Sequence, residues 1–166
     1  MQKVLRLLGK IFPVSPVYAH CDIPCGIYDP HNAQMAVHTV IRMTNLIQEL
    51  KKEDDTDESK KKYIHQLARY TKVKEEHAEM VKHEVRILWG DYFKEEHLKD
   101  YPELHDLVLK TLRLASRARQ EVNFEVAKDL LVTVQKIAEV FYKTKGVIPV
   151  RLKAPYPTEG ELVLYK

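Results

Sequence analysis

AKDLLVTVQKIAEVF, residues 127–141, carries apolar side chains at Ala127, Leu130, Leu131, Val134, Ile137, Ala138 and Phe141. Steps of three and four residues put all seven on one face of an α-helix, and a strand with its period of two does not reproduce them. Gly146 follows as a C-terminal cap. Further back, Leu104, Leu107, Val108, Leu112, Ala115 and Ala118 form a second stripe, with Pro102 suited to its start. A third runs from Asp57 to Trp89 through Tyr63, Leu67, Tyr70, Val73, Met80, Val81, Ile87 and Leu88, with His77 lying in it. A fourth runs from Pro30 to Leu50 through Ala36, Val40, Met43 and Ile47, with Asp29 as its N-cap. Four amphipathic helices with short links predict an all-α antiparallel four-helix bundle over about residues 31–146.

The connections carry little chemistry. KKEDDTDESKKK at Lys51–Lys62 has no apolar residue and reads as a solvated link or a frayed helix end. Residues 89–101 join two helices and hold Trp89, Tyr92 and Phe93. In residues 147–166, Pro149, Pro155, Pro157 and Gly160 interrupt short apolar alternations around Val150 and Val163. That pattern predicts an extended C-terminal arm packed on the surface or on a neighbouring chain.

The 166 residues suit one domain. Only five glycines and long runs of helix formers argue against a sandwich or barrel. The net charge of +3 is carried by residues 1–19, where Lys3, Arg6 and Lys10 stand without an acid. The remainder is neutral, so no basic field points to nucleic acid. No apolar run approaches the roughly 20 residues of a membrane span. Residues 1–19 have a basic start and end in Val17-Tyr18-Ala19, as a secretory cleavage site does, but Pro13 and Pro16 break a short apolar run. The reading is a removable propeptide of a cytoplasmic protein rather than a signal peptide, followed by a domain over residues 20–166.

Both cysteines lie in HCDIPCGIYDP, residues 20–30. A disulfide between Cys21 and Cys25 would close a very small loop and stabilise little. Inside a chain the segment offers two thiolates and one imidazole, a ligand short of structural zinc. A cut before His20 adds the α-amine and, once deprotonated, the Cys21 amide nitrogen, which chelate in adjacent five-membered rings. With the thiolates of Cys21 and Cys25 these make a plane of two nitrogens and two sulfurs, and the His20 imidazole stands above it. That donor set suits Ni(II) or Cu(II), and thiolate with anionic amide stabilises a higher oxidation state.

This hook resembles that of the nickel superoxide dismutases, which reads His-Cys-Asp-x-Pro-Cys-Gly-x-Tyr-Asp-Pro, and every fixed position matches. LWGDYFK at Leu88–Lys94 and YPELH at Tyr101–His105 are similar to the same family. The resemblance implies a helical-bundle subunit of a homohexamer, a propeptide removed by a dedicated protease, and nickel as cofactor. It implies that superoxide is converted to oxygen and hydrogen peroxide by Ni(II)/Ni(III) cycling, with His20, Cys21 and Cys25 as ligands. It further implies that Tyr28 orders water or substrate at the open face, that Tyr92 lines the approach, that Lys94 draws in the anion, and that Asp22 steadies the hook. Some members support the axial imidazole with a glutamate and an arginine; the matching positions here are Ala36 and His77, so that support is either absent or rebuilt, with His38 or His77 as the candidates.

Other classes fare worse. No histidine has a glutamate three residues before it, as a di-iron bundle requires, and Ile87 stands where His-Glu-x-x-His needs its second histidine. A non-enzymatic nickel or copper carrier using the same hook is the alternative, followed by a helical interaction module with a disulfide. His31, His65, His97 and His105 read as solvated or capping.

Overall fold

A computed structural model of the chain describes residues 25–166, and its elements follow the stripes. They are α1 (His31–Glu49), α2 (Asp57–Ile87), a short α3 (Glu95–Asp100), α4 (Leu104–Gln120) and α5 (Phe124–Thr144). α1 packs on α2 and α5, and α4 packs on the same two, which closes a four-helix bundle. Val37, Val40, Ala78, Val81, Val85, Leu104, Val108, Ala115, Leu130, Val134 and Ile137 fill its centre. Each fully buried Leu, Ile or Val contributes about 1.5–3 kcal/mol, so this core holds the bundle. No helix of the described residues is long and apolar enough to cross a membrane.

Local chemistry sets where the helices begin and end. The Asp29 carboxylate accepts the His31 N–H at 2.7 Å, Thr56 Oγ1 accepts that of Ser59 at 3.2 Å, and Asn123 Oδ1 accepts that of Val126 at 3.2 Å. Gly146, at φ 74°, closes α5. Its N–H reaches the Lys143 carbonyl at 2.9 Å, and the Val147 N–H reaches that of Tyr142 at 3.2 Å. This is the paired closure that a left-handed residue after a helix permits.

Several elements differ from the sequence expectation. α2 stops at Ile87, and Leu88–Tyr92 form a wider, π-helical turn with Phe93 N–H bonded to Leu88 O at 2.9 Å. The link at 89–101 contains α3. Met80, expected in the apolar stripe, is 42% exposed, because the buried line of α2 runs through Lys74, Ala78, Val81 and Val85. Lys74 is only 1% exposed. Its ammonium donates to the carbonyls of Ala118, Arg119 (3.0 Å) and Glu121 (2.9 Å) at the C-terminus of α4. Those carbonyls have no partner within their helix, and the helix dipole favours a cation there.

The C-terminal arm is a hairpin of β1 (Pro149–Lys153) and β2 (Glu161–Tyr165), antiparallel with Arg151 opposite Val163. It packs on α5 and α1 of its own chain. Val163 is buried in the core. The Gln34 side-chain amide donates to Val163 O at 3.0 Å and accepts Val163 N–H at 2.7 Å, pairing with the strand as another strand would. His38 lies beneath the hairpin, with Nδ1 2.7 Å from Thr158 Oγ1 and Nε2 3.2 Å from Glu161 O.

Candidate metal centre

The hook enters α1 through Asp29 and Pro30. Two of its candidate ligands, His20 and Cys21, together with Asp22 and the expected propeptide, lie outside the described residues. Cys25 is described and exposed. It lines a cavity of about 370 Å³ with Ile27, Tyr28, Asp29, Asn32, Glu84, Ile87 and Leu88. Among the described residues no three His, Cys, Asp or Glu side chains are grouped to hold a metal ion. The proposed donor set has only Cys25 among them. A soft thiolate lining a cavity with room for a small anion is compatible with a thiolate-bound transition metal, nickel among them. A larger depression of about 710 Å³, over Leu67, Thr71, Glu75 and Arg119, contains no residue of the motif.

The fold brings Tyr28 and Tyr92 together, their ring centroids 5.5 Å apart. No local pattern joins positions so far apart in sequence; the π-helical turn presents Tyr92 toward the start of the chain. Phe141 packs on Tyr92 at 4.6 Å. The Thr144 hydroxyl donates to Phe141 O at 2.7 Å, so the 2.7 Å contact between Tyr92 and Thr144 is a bond in which the phenol donates. The Tyr92 proton is therefore committed to Thr144, which leaves the phenol oxygen only its acceptor lone pairs. Burial pushes its pKa up, with the Thr144 bond opposing, and the phenol stays neutral at physiological pH. Tyr142 is a third phenol at this end. It donates to Asp29 Oδ1 at 3.4 Å, and burial, followed by the nearby Asp29 charge, raises its pKa strongly.

Lys94 is exposed at the N-cap of α3, two residues beyond Tyr92. A second cation, Lys145, lies over Tyr92, its ammonium 4.7 Å from the Tyr92 ring centroid and 5.6 Å from that of Phe141. Sequence reading passed over Lys145; a lysine beside the glycine cap of α5 was the available signal. The hairpin engages both ring nitrogens of His38, and the imidazole it was a candidate to support lies outside the described residues. His77 Nδ1 is 2.8 Å from the Val73 carbonyl of its own helix. Ala36 is packed in the core.

A helical bundle led by a cysteine-bearing hook, with one of two paired tyrosines lining the cavity of the cysteine, defines a class: bundle proteins with a candidate metal centre before their first helix. Comparison with known proteins narrows this. The model of the nickel-containing superoxide dismutase family matches residues 15–145. Superoxide dismutases of the nickel type from Streptomyces coelicolor and Streptomyces seoulensis are 37% and 36% identical over 140 residues, 84% of this chain and 98% of each relative. A native crystal structure of nickel superoxide dismutase superposes with a TM-score of 0.64 at 36% identity, covering 76% of this chain and 99% of that one. The chain belongs to the nickel-containing superoxide dismutase family. The hairpin, residues 149–165, lies beyond the matched residues.

Proposed function

We propose that this protein is a nickel-dependent superoxide dismutase, an oxidoreductase that converts two superoxide ions and two protons to oxygen and hydrogen peroxide. The observation that carries the reading is the family match over residues 15–145, which takes in the whole hook. His20 would hold the metal through its α-amine and imidazole, Cys21 through its amide nitrogen and sulfur, and Cys25 through its sulfur. Bound there, nickel would supply the one-electron Ni(II)/Ni(III) couple that dismutation needs.

The chain's own residues do the rest. Lys94 and Lys145 put positive charge near the approach and attract the anion. Tyr28 orders water or superoxide at the open face. Tyr92, whose proton is bonded to Thr144, accepts a hydrogen bond from that water and does not donate. The protons that complete hydrogen peroxide then come through water ordered by Tyr28 rather than from the Tyr92 phenol.

In the same reading a dedicated protease removes residues 1–19, the mature chain assembles as a homohexamer, and it works in the cytoplasm. The short apolar run of residues 1–19, broken by Pro13 and Pro16, supports a propeptide over a signal. The test compares nickel-loaded protein beginning at His20 with the full-length chain. Fast dismutation by the cut form alone is expected, since an internal His20 has an amide where the metal needs an amine. Cys25→Ser in the cut form should abolish turnover. Nickel binding without turnover in the cut form would make the protein a carrier.

A further inference from the structure

His97 was expected to be no more than a solvated or capping residue. It touches both residues assigned to the anion approach. Its Nδ1 accepts the Lys94 backbone N–H at 3.2 Å. Its ring stacks on Tyr92, with centroids 5.6 Å apart and planes 21° apart, and meets Phe93 edge-on at 6.0 Å. The side chain is 16% exposed, so packing holds the imidazole in place. Accepting at Nδ1 requires that nitrogen to be bare, which puts the proton of the neutral ring on Nε2. Nε2 is 3.9 Å from Glu96 Oε1.

These contacts do different work. The hydrogen bond fixes the backbone from which the Lys94 side chain leaves, and so limits where its ammonium can go. The stack limits the tilt of the Tyr92 ring, which also contacts Tyr28 and Lys145. One side chain thus registers a cation and a phenol against each other, although neither bonds to the other.

We propose that His97 is a positioning residue for superoxide capture, holding Lys94 by its backbone and Tyr92 by its ring. The inference rests on the reading that Tyr92 and Lys94 serve the approach to the nickel site. Two substitutions separate the contacts. His97→Gln keeps an acceptor at the third helical position, where a glutamine reaches back to the N-cap N–H, and loses the ring. His97→Phe keeps the ring and loses the acceptor.

The first readout is amide hydrogen exchange at Lys94, which does not depend on turnover. Exchange should stay protected in His97→Gln and quicken about fivefold in His97→Phe, the loss expected of one neutral hydrogen bond. The second is the ionic-strength dependence of kcat/KM in the nickel-loaded form starting at His20. Its slope should flatten in His97→Phe and be retained in His97→Gln, with nickel content equal in both. Equal Lys94 exchange in the two variants would overturn the proposal, whether or not the protein dismutates superoxide. Unequal exchange with identical salt slopes would overturn the role in capture alone. A nickel-loaded wild type without turnover would instead overturn the dismutase reading and leave the Lys94 exchange result standing.

Discussion

Lys74 shows how much one side chain can decide. An ammonium buried to 1% exposure loses hydration worth several kcal/mol, and burial lowers its pKa. Three carbonyls at the end of α4 offset that loss, one for each of its N–H bonds. Replacing Lys74 with methionine keeps the aliphatic bulk and removes the desolvation cost, but strands acceptors that cost about 1–3 kcal/mol each when buried without a partner. The stranded carbonyls outweigh the relieved charge, and a net loss of about 2 kcal/mol is expected in urea unfolding near neutral pH. An unchanged midpoint would mean that water reaches the α4 terminus as well as Lys74 does. Sequence reading did not find this residue, because a lysine in a heptad-like stripe counts as polar and is assigned to the surface. The carbonyls that make its burial favourable lie 44 to 47 residues away.

Among the elements, the four long helices were legible because each stripe repeats over several turns, and a core must bury it. The two strands were not, because five residues of alternation fit an extended arm as well as a hairpin. What distinguishes the two is distant: Gln34 and His38 on α1, with Gln135 on α5, supply hydrogen bonds that hold β2 and its preceding turn. A neutral His38 protonated at Nε2 donates to Glu161 O and accepts from Thr158, which suits both contacts. Burial lowers its pKa below the ordinary histidine value, the Glu161 bond opposing in part. A base whose folded pKa is depressed contributes its full stability above the unfolded value of about 6.5, and that stability is lost as pH falls through it. Proteolysis within residues 147–166 should therefore speed up as pH is lowered from 7.5 toward 5. Gly160 tests the same contact at constant pH. A Cβ there would lie 2.7 Å from His38 Cε1 and 3.2 Å from Leu131 Cδ2. Gly160→Ala should thus loosen the hairpin at pH 7.5 as acid does in the wild type, and should leave the bundle folded. Equal cleavage rates for variant and wild type at pH 7.5 would show that the hairpin does not depend on the His38 contact.

At the scale of the whole molecule, the bundle and the hook have separate sources of stability. The buried core residues among those described fall between Ala33 and Val163, on the helices, the π-helical turn with the adjoining Phe93, and the hairpin. Nothing in that core requires a metal, so the bundle is expected to fold with or without nickel, and from the full-length or the cut chain. On the proposed ligand set the hook is different, since binding a metal and ordering its ligands are coupled. The pairing of Tyr28 with Tyr92 became predictable only through the family resemblance, because no helical period relates them, whereas the ligand set followed from the chemistry of His20, Cys21 and Cys25. These two sources separate in a thermal melt. Without nickel, the full-length chain and the chain beginning at His20 should unfold within a few degrees of each other. A ligand at a hundred times its Kd stabilises by about 2.7 kcal/mol, which for a protein of this size is a rise in Tm of roughly 5–10 °C. The rise should appear in the cut chain and be absent from the full-length chain, whose His20 nitrogen is an amide. It should also vanish from the cut chain carrying Cys25→Ser, which loses a thiolate donor. An equal rise in both chains would mean that nickel is held without the α-amine, and the proposed ligand set would then be wrong at His20.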